Sequence, residues 1–313
     1  KNNFLFNKIF SLKQIKRPLQ ISDFGFLIGP ILNSAGRLTD PNKIVKLLTI
    51  KDNKIKDKII KELIDTNEKR KKIETDSIKE INFEKIKNDS NNVLIHYKNI
   101  INEGIIGIIA SRLKEFFNKP SIVLTKSGNL YKASARSTEN FNIGKFIKQA
   151  IDKKIIIRGG GHNLAAGFTI KSDKILIFKN FINSMYLKKR ITHNKFYLSK
   201  ISLTAINNNF FNDLIKMGPF GQDNPNPLFL VEKVRIIKPR ILNAKYISFF
   251  VKSNSGKLFP AIYFDFLESD VSINLLNNKN EMNLIVQIKE NLWNNKKNLQ
   301  LIVLDMIHLP NKA

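Results

Sequence analysis

The run Arg158-Gly159-Gly160-Gly161-His162-Asn163-Leu164-Ala165-Ala166-Gly167 carries the chain's strongest chemical signal. Consecutive glycines let backbone N–H groups approach an anion closely. An imidazole at the rim of such a segment, His162, can donate to a phosphate oxygen or stabilise a developing charge. The spacing predicts a glycine loop over Gly159 to Gly161, and small residues after His162 that start a tightly packed helix or turn. A Gly-rich turn with an incidental histidine is the competing reading.

Four further segments fit anion binding or its support. Ala133-Ser134-Ala135-Arg136-Ser137 places two hydroxyls beside a guanidinium at a strand end, and arginine can bind phosphate through two parallel bonds; a strand-end arginine solvated on an edge fits equally. Asn33-Ser34-Ala35-Gly36-Arg37 offers an amide and a guanidinium around small residues that permit close approach. An ordinary turn before a helix explains it locally. Gly104 to Leu113 follows a strand and opens a helix, with a GxxG spacing that lacks the paired glycines of a dinucleotide fingerprint. Close helix–sheet packing accounts for Gly104 and Gly107, with Arg112 a candidate to face the groove. Gly218 to Phe229 is a strongly punctuated loop leading into the C-terminal strands, available to meet bases or to serve as a structural junction.

No metal cage accompanies these segments. There is no Asp-x-Asp, Asp-His-His or dense carboxylate cluster, and His96, His193 and His308 are isolated. Phosphodiester hydrolases generally use metal ions to make the nucleophile and neutralise the leaving oxygen. Phosphate grips without metal ligands are therefore what the residues alone offer.

The elements that must position these groups change character along the chain. Asp40-Pro41 opens a helix with Ile44, Val45, Leu47 and Leu48 on one face. From Asp52 to Lys87 apolar residues recur at near-helical spacing (Ile55, Ile59, Leu63, Ile73, Ile78, Ile81) with no Gly or Pro. That predicts one helix of about 35 residues, about 50 Å long, connecting two bodies and docked along one thin face. After a turn at Asn88 to Asn92, strands at Val93–Tyr97, Ser121–Thr125, Tyr131–Ala135 and Gly167–Ile170 alternate with helices at Gly104–Phe117, Asn142–Ala150 and Asp173–Leu187, a layered α/β pattern. Beyond Lys188 the pattern is all-β, with strands at Phe196–Thr204, Leu228–Ile237, Tyr246–Lys252, Leu258–Phe264, Met282–Glu290 and Leu299–Ile307. About five core strands and a basic surface suggest an OB-fold barrel. The fold class is thus α/β plus all-β.

Composition supports a nucleic-acid partner. Lys and Arg number 53 against 26 Asp and Glu, a formal charge of +27; such an excess attracts polyanions. Part of it reflects a Lys-, Asn- and Ile-rich bias, so the arginines in Gly/Ser/Asn contexts (Arg37, Arg112, Arg136, Arg158) are the informative cations. The absence of cysteine excludes disulfides and thiolate metal sites and fits a cytoplasmic location. No apolar run approaches the roughly 18 residues of a membrane span, so no membrane partner is expected. The opening Lys1-Asn2-Asn3, with neither Met nor a signal-peptide core, reads as the start of a fragment.

Taken together, five stretches in order resemble the RecJ family within the DHH phosphoesterases: GPILNSAGRL (29–38), GIIGIIASRL (104–113), KASARS (132–137), GGGHNLAAGF (159–168) and GPFGQDNPNPLF (218–229). The tail from Leu292-Trp293 to Leu304-Asp305 fits the end of that family's OB-fold. The resemblance implies the end of a DHH domain at 1–48, a connecting helix at 49–88, a DHH-associated domain at 89–190 and an OB-fold at 191–313. It implies 5′→3′ degradation of single-stranded DNA in recombination and repair, dependent on Mn²⁺ or Mg²⁺ whose ligands lie upstream of Lys1, leaving this chain alone inactive. Partner proteins are not implied. The family's roles fall on Asn33, Arg37, Ser134, Arg136, Ser137, Gly160 and Gly161 for binding the strand, and on His162 against the scissile phosphate. One departure is Asn102, where family members often carry His. A non-catalytic single-strand-binding module from a split gene is the alternative class. A relative acting on small phosphoesters is a weaker third reading, since such substrates need no C-terminal barrel.

Overall fold

Residues 3–87, 90–98, 101–186, 197–221, 223–242, 246–264, 270–277, 280–293 and 296–307 are described by the computed structural model. The chain falls into two units, Lys1–Ile191 and Thr192–Ala313. His193, His308 and Gln222, the ends of the expected elements at Leu187 and Phe196, and the side chains of Leu292 and Trp293 lie outside the described residues, as does part of the turn expected at Asn88–Asn92.

The first unit opens with helices. α1 (Phe4–Leu12) is capped by the Asn3 side chain, which accepts from the N–H groups of Leu5 and Phe6. A single turn, α2 (Ile21–Asp23), continues through a π-helical turn over Phe24–Ile28 into α3 (Gly29–Leu38). Asn33 to Arg37 therefore lie within a helix rather than in a turn before one; Pro30 at its start is the residue type that opens helices. α4 (Asn42–Thr49) buries Leu47, but Val45 and Leu48 are 60% and 63% exposed, so the expected four-residue apolar face is narrower.

The long charged segment forms two helices. α5 (Asn53–Lys79), capped by the Asp52 carboxylate, runs for 27 residues, and α6 (Phe83–Lys87) follows a break. Tertiary packing overrides the helical spacing at the break. Ile81 turns into a core with Ile105, Ile109 and Leu113, and Phe83 meets the rings of Phe116 and Phe117. Earlier along α5, Ile60 and Leu63 pack with Ile9, Ile31 and Ala35. The buried Ser34 hydroxyl sits between the carbonyls of Ile31 and Leu63, tying α3 to α5.

The rest of this unit is a five-stranded sheet in the order β1-β2-β3-β5-β4, with β1 (Leu94–Lys98), β2 (Ser121–Ser127), β3 (Leu130–Arg136), β4 (Arg158–His162) and β5 (Ala165–Lys171). Only β1 and β2 pair in parallel. α7 (Ile106–Phe117) packs on one face through Ile109 and Leu113 against Val123. α8 (Ile143–Asp152) and α9 (Ile175–Ser184) cover the other, where Ala133, Ala135, Phe168 and Ile170 meet Ile147 and Phe178. The glycine run is not a loop. It is the edge strand β4, joined to β5 by the two-residue connection Asn163-Leu164, and its three glycines have no positive φ. The anion nest expected from consecutive glycines is therefore absent; extended pairing with β5 replaces it.

The second unit contains β6 (Ser199–Lys200), α10 (Asn208–Lys216), β7 (Phe229–Leu242), β8 (Tyr246–Lys252), β9 (Leu258–Tyr263), α11 (Asp270–Asn277), β10 (Met282–Trp293) and β11 (Lys296–Ile307). Five strands pair in the order β7-β8-β9-β11-β10, and β10 pairs again with β7, closing a barrel with the connectivity of an OB-fold. Lys233 and Lys238 take positive φ near the shifts of register along β7, bulges of the kind that bend a long strand around a barrel. The strand expected over Phe196–Thr204 shrinks to β6, because Leu203 and Ile206 turn into the barrel core and Asn207 caps α10. The loop at Gly218–Phe229 is stapled to itself: the Asn224 amide donates to Met217 O and Pro219 O.

Candidate functional site

The open face of β3, β5 and β4 carries the polar groups. Along β3 the buried residues Tyr131, Ala133 and Ala135 alternate with Lys132, Ser134 and Arg136, the two-residue period of a strand with one face in the core. Cross-strand register extends this into three rows. Arg136 stands opposite Ala165, and Ala165 opposite His162; Ser134 opposite Gly167, and Gly167 opposite Gly160; Lys132 opposite Thr169, and Thr169 opposite Arg158. Directly paired residues share a face of the sheet, so a cationic row lies on either side of a serine with a glycine floor.

Two helices complete the walls. The first turn of α7 brings Ile106 and Gly107 over the strands, and an added Cβ at Gly107 would lie 3.1 Å from both Arg136 Nη2 and Ser134 Oγ. A helix N-terminus there favours an anion. From α3, Arg37 Nη1 donates to Gly104 O at 2.9 Å. The result is a cleft of about 630 Å³ lined by Arg37, Gly107, Lys132, Ser134, Arg136, Arg158, Gly160 and Thr169 among others. The two glycines of the α7 segment do pack closely, as expected, but in doing so they build the wall of the site.

The electrostatics suit an anion. Arg136 Nη1 reaches Ser134 Oγ at 3.1 Å and Ala135 O at 2.8 Å. Burial, followed by repulsion from Arg37, lowers the pKa of Arg136. Burial also lowers that of Arg37, with Arg70 adding to the effect and Glu74 opposing it. Guanidinium stays charged regardless, so two half-buried cations face one cleft, and among the described residues neither has an ion pair. Glu103, the one carboxylate in the lining, is bound at 2.6 Å by Lys132. Arg112 faces a smaller adjoining pocket and pairs with Glu74 and Glu115.

The structure brings together Arg37, Ser134, Arg136 and Gly160. It does not bring the remaining sequence-derived residues into the lining. Asn33 is exposed one turn before Arg37 on α3. Ser137 is buried past the end of β3, where its hydroxyl donates to Phe141 O, so it closes a loop. Gly161 belongs to the opposite face, and Gly144 of α8 packs on its backbone. His162 is exposed at the end of β4, in the Arg136 row but beyond the cleft lining, with Leu164 N–H donating to its Nδ1 at 3.4 Å. Asn102 shapes the turn into α7, its Oδ1 accepting from Gly104 N at 2.9 Å. Lys132, Thr169 and the Gly107 backbone were not legible as site residues; the alternation through Lys132-x-Ser134-x-Arg136 was the available signal for the first.

A second concavity, of about 650 Å³, lies on the barrel between β8, β9 and the β10–β11 hairpin. Phe250 and Leu258 line it while 44% and 50% exposed, alongside Lys257, Asn291 and Lys297. Apolar side chains among amides and cations on this face of such a barrel suit stacked bases and a phosphate backbone. Among the described residues no group of three His, Asp or Glu side chains could hold a metal ion, and Glu103 is committed to Lys132. These residues do not fit a divalent-metal centre.

Comparison with known proteins agrees with this geometry. A family model described as the DHHA1 domain matches residues 90–186, and one described as the RecJ OB domain matches 199–305. The single-stranded-DNA-specific exonuclease RecJ of Salmonella typhimurium is 29% identical over 261 residues, covering 79% of this chain and 45% of the relative. The Bacillus subtilis protein of the same name is 27% identical, covering 75% of this chain and 31% of its own. The crystal structure of Thermus thermophilus RecJ with Mn²⁺ superposes with a TM-score of 0.79 at 20% identity, covering 98% of this chain and 44% of that one. The chain thus spans less than half the length of these relatives. Fold and matches define a protein with a DHHA1 domain followed by an OB domain. The chain belongs to the RecJ family.

Proposed function

We propose that the protein is a single-stranded-DNA-specific exonuclease that works from the 5′ end in recombination and repair, and that these residues hold the strand. The observation that carries this reading is the pair of half-buried guanidiniums of Arg37 and Arg136, without ion-pair partners among the described residues, beside Ser134 and a glycine floor. A phosphate there gains charge-assisted hydrogen bonds and relieves the repulsion between the two arginines. The relatives' names support the substrate, and the barrel concavity supports a single strand over a duplex.

In this reading Arg37, Ser134, Arg136 and Gly160 bind phosphate, and His162 acts at the scissile phosphate from the Arg136 row. Ser137, Gly161 and Asn33 support the site without touching the strand. Mn²⁺ or Mg²⁺ is the cofactor, in line with the Thermus structures that hold each ion, and its ligands are residues other than those described. We divide the chain into the end of a DHH domain (1–48), a connecting segment (49–88), the DHH-associated domain (89–190) and the OB-fold (191–313). No helix among the described residues is long and apolar enough to cross a membrane, and we place the protein in the cytoplasm.

The test is a titration of 5′-labelled single-stranded DNA with this chain, run beside a degradation assay in Mn²⁺. Binding without cleavage is expected. Metal-dependent cleavage would contradict the absence of a metal centre from these residues, and failure to bind would contradict the strand-holding role.

A further inference from the structure

We infer that the cleft holds two successive phosphates, the second on the row formed by Lys132, Thr169 and Arg158; this rests on the assignment of the first phosphate to Ser134 and Arg136. The register is the starting point. Lys132 and Ser134 are two residues apart on one strand and share a face, which sets neighbouring rows about 6.8 Å apart. A strand of DNA lying along β3 therefore presents its next phosphate to a row that holds two cations and a hydroxyl.

Each member of that row is available. Arg158 is exposed on the edge strand and makes no ion pair or hydrogen bond among the described residues. The Thr169 hydroxyl lines the cleft without a hydrogen bond among them. Lys132 is held by Glu103, but both side chains are about half exposed, 45% and 44%, and exposed pairs of this kind are weak. A phosphate can draw Lys132 away.

The floor between the rows points the same way. An added Cβ at Gly159 or Gly161 would fall 2.4 to 2.8 Å from neighbouring atoms, so packing demands glycine there. At Gly160 it would meet nothing within 4 Å, and at Gly167 only Ala133 O at 3.6 Å. Neither residue has positive φ. Glycine at these two positions is required by neither packing nor backbone conformation; it keeps the path between the two phosphate positions free of side chains.

The experiment compares equilibrium binding of thymidine 5′-monophosphate and the 5′-phosphorylated dinucleotide pTpT to the full chain. The unsubstituted protein should bind pTpT more tightly. Lys132→Gln/Arg158→Gln should weaken pTpT about tenfold, the effect of losing one charged contact, and bring the ratio of the two affinities close to one. Glu103→Gln, which frees Lys132, should tighten pTpT. If Arg136→Ala weakens both ligands while Lys132→Gln/Arg158→Gln leaves the ratio unchanged, the second position is overturned and the first survives. If Arg136→Ala weakens neither, the proposed function fails and this inference with it.

Discussion

Arg37 and Gly104 are locked together: Arg37 Nη1 donates to Gly104 O at 2.9 Å, and a Cβ on Gly104 would lie 2.0 Å from Arg37 O. This contact joins α3 to the start of α7 and aims the guanidinium into the cleft. Gly104→Ala must push the two backbones apart. It should cost about 1–3 kcal/mol of stability, the scale of overpacking a close contact, and should weaken single-strand binding because Arg37 moves. Urea denaturation and a binding titration of the same variant check both effects.

Gly160 and Gly161 should separate binding from folding. Gly161→Ala drives a methyl group to within 2.4 Å of Ala165 O and should destabilise by about 1–3 kcal/mol. Gly160→Ala meets open space and should change stability by no more than about 0.5 kcal/mol, while narrowing the floor and weakening single-strand binding. Paired denaturation and titration curves would show the contrast.

Much of this was legible in the sequence and some was not, for identifiable reasons. The period-two run through Ser134 and Arg136 fixes a strand with one polar face, and the structure follows it. Glycines 159–161 pointed to a loop because local propensity disfavours glycine in strands; pairing with β5, a tertiary contact, makes them a strand. Asn33-Ser34-Ala35-Gly36 has turn-forming residues, yet Ser34 and Ala35 are buried against α5 and the segment is helical. α10 went unseen among asparagines, although Asn207 as a cap and Phe211 and Leu214 at helical spacing were its signals. Which strand the glycines of α7 approach cannot be read from a GxxG spacing, so the wall of the site was taken for packing alone.

Acid should loosen the N-terminal helices through Asp23. Arg17 contacts its carboxylate at 2.6 and 2.8 Å. These hydrogen bonds hold the Asp23 carboxyl below its ordinary range; burial opposes them, and the Gln20 backbone N–H assists. With the folded value depressed, the unfolded chain binds the proton first, so the stabilisation is present above about pH 4 and is lost as pH falls through the folded value. Asp23→Asn should lower stability at pH 7 by about 1–3 kcal/mol and flatten the pH dependence below about pH 4. Denaturation midpoints from pH 2 to 7 check both effects.

The division into units predicts that a chain ending at Ile191 folds, with the cleft residues intact, and loses affinity for long strands. Circular dichroism and binding to oligonucleotides of increasing length test this. Loss of cooperative unfolding in the shorter chain would place the boundary elsewhere.

The most direct measurement of the central claim is the salt dependence of single-strand binding for the unsubstituted chain and for Arg136→Ala. If Arg136 grips a phosphate, the substitution should weaken binding and make the slope of log K against log[salt] shallower by about 0.7, one phosphate contact on a single strand. An unchanged slope would mean that the cleft around Ser134 and Arg136 does not hold the strand.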